Sequence, residues 1–317
     1  MKEIQIKEHT NNIVSKANEL IKAQAELSST AHKMLCSVIS MINVNDADFQ
    51  EYALKREEYL KLIGSKSNND EFLYEQAEQL MQKPFKIDGK LFNWCSMVDF
   101  KKMPGYIIFD VHPKLKPYLL QLKERGNFTQ YQIVNILALR GDYSPRLYEL
   151  IIMEWNQYKS YNPNAKSFTF ELELEELREN LGIPKSYLYN NIKSRIIEVT
   201  KKQLKEKTNI KFTYEEYKLG RKVTRLIIKV EENNKGSNDF LATRRAFVAY
   251  IRKIYKPDTN NNTFPTIITT LKGDVKVNLN GEIYIIGDEK KALDSKQADK
   301  LWDWLYGLIK DNPKLLK

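Results

Sequence analysis

Cysteine is scarce in this 317-residue chain: there are two, Cys36 and Cys95, far apart and outside any CxxC pair. That excludes a disulfide framework and a paired-thiolate zinc site, and places both cysteines in the core as small hydrophobes. Histidine is almost as rare. His9, His32 and His112 fall in no HxH, HExxH or Cys/His ligand spacing, so no metal is expected. The twelve glycines form neither GxxxxGK[ST] nor GxGxxG, which removes the usual phosphate-cradling loops. No apolar run approaches the ~18 residues that span a bilayer, and the first residues carry no uninterrupted apolar stretch. These absences lead to the expectation of a cytoplasmic protein without membrane partner or cofactor. The pair Glu175-Glu176 reads as solvated helix acids, and no catalytic constellation is visible, so the expected function is non-enzymatic.

What is present is basic charge. Lys and Arg number 51 against 41 Asp and Glu, a net +10, and this favours a polyanionic partner without distinguishing nucleic acid from an anionic membrane. Apolar residues at helical spacing predict a helix over 27–42, with Ser28, Ser29 and Thr30 available as caps. Further helices are predicted over 56–63, ending at Gly64, and over 70–81, stopped by Pro84. The period then changes: Asp88-Gly89 lies between two short alternating runs, a strong hairpin signal, and 106–111 reads as a strand. Three helices followed by a hairpin describe a winged helix.

A polar stretch containing Gly126 suggests a domain boundary, after which the order recurs. Helices are predicted over 130–139 and 145–159, a strand over 167–172, a helix over 174–183 ended by Gly182, a turn at Pro184-Lys185 and a long helix over 186–204. Two strands around Leu219-Gly220-Arg221 complete a second wing. The polar run 231–239 reads as a linker to a basic helix over 240–255, a hairpin turning on Asn280-Gly281 and a helix over 295–309. The fold class is therefore α+β: two tandem winged-helix domains, 1–125 and 126–232, followed by a small α/β C-terminal module, 233–317, of unassigned role.

The charge is unevenly placed. Residues 185–229 hold thirteen basic and four acidic side chains, a net +9, whereas 144–183 hold four and seven, a net −3. A helix lying in a DNA major groove with a wing along the flanking phosphates needs that distribution. On a regular helical wheel Leu188, Ile192, Ile196 and Val199 share one face, which leaves Ser186, Asn190, Lys193, Ser194, Ile197 and Lys201 on the other. These are candidate base contacts: Asn for adenine, Lys for guanine, an outward Ile for a thymine methyl. Any solvated helix face carries Lys, Ser and Asn, so plain solvation competes with base contact at each single position. Arg195, on the flank of the wheel, is a candidate for phosphate contact or for packing; Tyr187 and Tyr189 are candidates for phosphate or for the core. Arg221, Lys222 and Arg225, at and beyond the wing turn, are candidate phosphate ligands. The matching helix of the first domain, DEFLYEQAEQLMQ, is acidic on its exposed side, which argues against strong groove binding there.

The segments IVSKANELI, LSSTAHKMLCSVIS, SPRLYELI and LEELRENLGI, the helix from Tyr187 to Leu204 and FTYEEYKLGRKVTRLIIKV resemble the iteron-binding plasmid replication initiators over roughly residues 10–232. The resemblance implies a protein that binds double-stranded DNA with repeated sites at a plasmid origin and helps open the duplex for a host initiator and helicase. It further implies a homodimer in equilibrium with monomer, the dimer repressing its own gene, with dimerisation and auxiliary DNA contacts in the first domain. The second domain would recognise iterons through Asn190, Lys193, Ser194, Arg221 and Lys222. A winged-helix transcriptional regulator without a replication role, and a partner-binding structural protein, remain the alternative readings of the same pattern. The lack of a His-apolar-His motif disfavours initiators that nick DNA with tyrosine and metal.

Overall fold

A computed structural model describes residues 4–5, 13–23, 26–65 and 70–233, together with four strands between 268 and 292. The chain divides into two compact units, 1–237 and 238–317. In the first, β1 (Ile4–Gln5) and β2 (Ile13–Ala17) lead into α1 (Asn18–Lys22) and α2 (Ser29–Met41). The Ser28 side chain accepts from the Ala31 amide at 3.1 Å, the expected cap, and α2 is buried along nearly its whole length. Next come β3 (Glu51–Lys55), α3 (Arg56–Leu62) and α4 (Asp70–Gln82). The hairpin β4 (Phe85–Ile87) and β5 (Lys90–Phe92) turns on Asp88 and Gly89, both at positive φ (49° and 77°), as a two-residue turn matched to strand twist requires. With β6 (Cys95–Asp99) and β7 (Tyr106–Val111), a mixed sheet forms in the order β1-β3-β7-β6.

After the short helices α5 (Lys116–Leu119) and α6 (Leu122–Arg125), the chain makes β8 (Phe128–Gln132) and only then α7 (Ile133–Ala138). A helix was expected from 130. Instead β8 pairs antiparallel with β2, Val14 opposite Tyr131. The partner lies more than a hundred residues upstream, so local periodicity carries no trace of it. This ladder crosses the boundary expected at Gly126 and returns the following chain to the first domain's strands. Then α8 (Ser144–Tyr161), with proline in its first turn, packs against α1, α2, α7 and β8.

The second winged element comprises β9 (Ser167–Glu173), α9 (Leu174–Leu181), α10 (Tyr189–Ile192), a π-helical turn over Lys193–Ile197, α11 (Glu198–Lys207), β10 (Ile210–Leu219) and β11 (Lys222–Glu232). Its sheet runs β10-β11-β9. Gly182 closes α9 in the left-handed region at φ 63°, where the lack of a Cβ removes the strain. The second unit, by itself, shows an antiparallel sheet of β12 (Ile268–Thr270), β13 (Gly273–Val277), β14 (Ile283–Ile286) and β15 (Lys290–Ala292). β13 and β14 pair across the expected hairpin. The helices expected over 240–255 and 295–309 lie outside the described residues.

Candidate nucleic-acid interface

The long helix expected from Ser186 begins later, and its inner face differs. Tyr187 donates its amide to the Pro184 carbonyl at 3.0 Å, and its own carbonyl accepts from Arg178 Nη2 at 2.7 Å. These bonds hold 184–187 as a turn, and Leu188 is the extended residue before the helix, at φ −71° and ψ 162°. Within the helix, the π-helical turn adds one residue to a turn and shifts every later side chain by one position around the axis. The buried stripe is therefore Ile192, Ile196, Ile197, Thr200 and Leu204. Ile197 is 1 % exposed and cannot reach a base; Leu188 and Val199, expected inside, are 74 % and 41 % exposed.

The outer face retains Asn190, Ser194 and Arg195, all exposed, and Ser186 is exposed in the turn before the helix. Ser194 donates to the Asn190 carbonyl at 2.8 Å, leaving the Asn190 amide group facing solvent. Arg195 sets its guanidinium 5.7 Å from the Tyr187 ring centroid, so Tyr187 serves as a half-buried platform for a surface arginine. Lys193 is spoken for: its ammonium bonds Glu216 on β10 at 2.7 Å. That bond keeps the Glu216 carboxyl below its ordinary pKa and raises that of Lys193. Lys201 pairs with Glu198 at 3.0 Å and lies 5.3 Å from the Tyr214 ring, while the Tyr214 hydroxyl donates to Glu198 at 2.7 Å. Of the two lysines expected as DNA ligands, Lys193 thus bonds the wing strand directly, while Lys201 pairs within its own helix and meets that strand only at the Tyr214 ring.

On the wing, Gly220 has φ 62° and forms with Arg221 the two-residue loop between Leu219 and Lys222. Arg221 and Lys222 are exposed and carry no carboxylate partner among the described residues. Arg225 differs: it bonds Glu171, lies 3.4 Å from Glu173 and stacks 4.4 Å from the Tyr217 ring. Both acids stand on β9, and Glu173 is directly opposite Arg225 in the ladder. Lys211 and Lys229 both meet Glu231. The net +9 stretch therefore spends much of its charge internally, and the cations left facing solvent include Lys185, Arg195, Lys202, Lys205, Arg221 and Lys222.

A second cluster was not legible in the sequence. Glu149 of α8 is fully buried and meets Lys16 of β2 at 2.6 Å, His32 of α2 at 2.9 Å and Arg146 at 3.4 Å; Tyr131 of β8 also donates to it. Cys36 of α2 is buried in the core, as expected, and there it also borders an ionic cluster, 3.3 Å from Lys16 and 3.6 Å from His32. Burial opposes ionisation of Glu149, but Lys16, His32 and Arg146 outweigh it and hold its carboxyl well below the usual range. Burial likewise opposes the Cys36 thiolate and the His32 imidazolium, yet the cluster's charges lower the thiol's pKa and raise that of the imidazole. His32, Cys36 and Glu149 bring ligand-type atoms within 4.8 Å of one another. The Lys16 ammonium already stands beside Glu149 and Cys36, with Arg146 nearby, so the cations this group accommodates are the protein's own.

Against known proteins, the family profile described as "Initiator Replication protein, WH1" matches residues 13–152, and its companion "Initiator Rep protein, WH2" matches residues 173–230. Together they span well over half of the chain. The chain belongs to the initiator replication protein family. A "Replication initiation protein" of Escherichia coli is 24% identical over 231 residues, covering 69% of this chain and 69% of its own length. Among solved structures, "Crystal structure of Pi initiator protein in complex with iteron DNA" matches with TM-score 0.59 and 19% identity, over 71% of this chain and 98% of that one. The fold is thus two winged-helix domains, as expected, and the first family match extends past residue 126 into α8, in keeping with the β2–β8 ladder. Among the described residues no helix is long and apolar enough to cross a membrane.

Proposed function

We propose that this replication initiator binds double-stranded DNA at repeated sites, iterons, in a plasmid origin and promotes opening of the duplex. The observation that carries the reading is the second winged helix: exposed Asn190, Ser194 and Arg195 on the helix and Ser186 in the turn before it, with Arg221 and Lys222 at the tip of a wing that is fastened to that helix. Polar groups able to bond base edges sit beside cations able to neutralise phosphates, which is the division of labour sequence-specific binding needs. The iteron complex of the Pi initiator lends the same reading support. The protein acts in the cytoplasm without catalytic chemistry of its own. The first domain supplies the homodimer contact and auxiliary DNA contacts, monomers initiate, dimers repress the gene, and the opened duplex is handed to a host initiator and helicase.

Replacing Arg221 and Lys222 together with alanine tests the wing. Two lost phosphate contacts lower the slope of log K against log salt by about two and weaken binding to all sequences alike. Titration of labelled origin DNA across a salt series checks this; an unchanged slope would remove the wing tip from the interface.

A further inference from the structure

We propose that Leu188 is a specificity-determining residue that reads a thymine methyl group in the major groove, an inference that rests on the DNA-binding reading above. Leu188 is a large apolar side chain left 74 % exposed at the entry of the recognition helix. Its backbone is pinned: the carbonyl accepts from the Asn191 amide at 2.9 Å and the Ile192 amide at 3.2 Å, and the preceding Tyr187 carbonyl is held by Arg178. The side chain is therefore presented to solvent from a fixed base.

Its neighbours select the partner. Lys185, Ser186, Asn190 and Arg195 are exposed around it, and Lys185 and Arg195 have no carboxylate partner among the described residues. An apolar protein surface docking on Leu188 would have to desolvate this polar, cationic rim, whereas duplex DNA meets the cations with phosphates and offers one exposed apolar group in its major groove, the C5-methyl of thymine. The first residues of such a helix are those that come nearest the base edges. Ile197 would have been the other aliphatic candidate, and the π-helical turn has buried it.

The test uses the full-length protein and synthetic duplexes carrying one repeat of its own origin, in which each thymine is replaced in turn by deoxyuridine, removing only the methyl. The wild-type protein loses roughly fourfold in affinity at one or two positions, the size expected for one buried methyl. Leu188→Ala binds thymine and uracil duplexes equally at those positions with an unchanged salt slope, and Leu188→Met keeps the discrimination. Because the side chain is exposed, the thermal midpoint of Leu188→Ala stays at the wild-type value. Retained discrimination in Leu188→Ala, or none in the wild type, overturns the assignment and leaves iteron binding standing. Failure of the wild type to prefer the repeat over unrelated DNA overturns both.

Discussion

Glu149→Ala is expected to cost about 3–5 kcal/mol of folding stability, because it leaves Lys16, His32 and Arg146 as uncompensated buried cations. The four elements that meet at this carboxylate, β2, α2, β8 and α8, join strands and helices far apart in sequence, up to the helix that precedes β9. A urea titration of the full chain reads the loss directly. The double variant Lys16→Met with Glu149→Leu is expected to recover part of it, since removing both charges avoids the unpaired state and Arg146 keeps the Ala23 and Asn180 carbonyls. Acid acts in the same direction. The Glu149 carboxyl is held below its ordinary value of 4.5, so its contribution is complete above that pH and is lost as pH falls through the lowered folded-state value. An alanine variant no less stable than wild type would mean that the cluster is neutral or hydrated.

Ile197→Ala is expected to destabilise the second winged helix by about 2–5 kcal/mol while leaving the sequence preference of the folded protein unchanged. The residue is buried, as are Ile192, Ile196 and Leu204, and truncation opens a cavity under the helix that α10 and α11 form. Asn190→Ala should do the reverse: no more than about 0.5 kcal/mol in stability, as for an exposed site, and about 1–3 kcal/mol in preference for the repeat over random DNA. Denaturant midpoints and competition binding on the two variants separate the outcomes. Lost sequence preference in a fully stable Ile197→Ala protein would contradict the inner face drawn by the π-helical turn.

Much of the fold is local enough to be read from sequence. Ser28 before α2, Asp88-Gly89 in the first wing, Gly182 after α9 and Gly220 in the second wing each fix backbone geometry within a few residues, and each element stands where those signals put it. The strand β8 leaves no local signal because its partner β2 is far away in sequence, and the ladder the two form joins residues on either side of 126. The helix expected over 186–204 stands where it was placed in outline, but a regular wheel cannot anticipate a π-helical turn. That single extra residue moved Ile197 inside and put Val199 outside, while the turn held by Arg178 kept Leu188 out of the helix. Counting charge located the basic region, yet it could not show that Lys193 and Arg225 meet Glu216 and Glu171 across elements, or that Lys201 pairs with Glu198 one turn away on its own helix. The buried cluster is the extreme case. His32 and Cys36 lie one turn apart on α2, but Lys16, Tyr131 and Glu149 reach them only through the tertiary fold.

The most direct test is a footprint of the purified protein on the origin DNA of its own plasmid, for the wild type and for Asn190→Ala with Arg221→Ala. Protection of direct repeats spaced at multiples of about one helical turn, lost in the variant and weakened by salt, is the expected result. Protection confined to a promoter would assign the chain a regulatory role instead, and the absence of specific protection at any salt concentration would contradict the account at its centre.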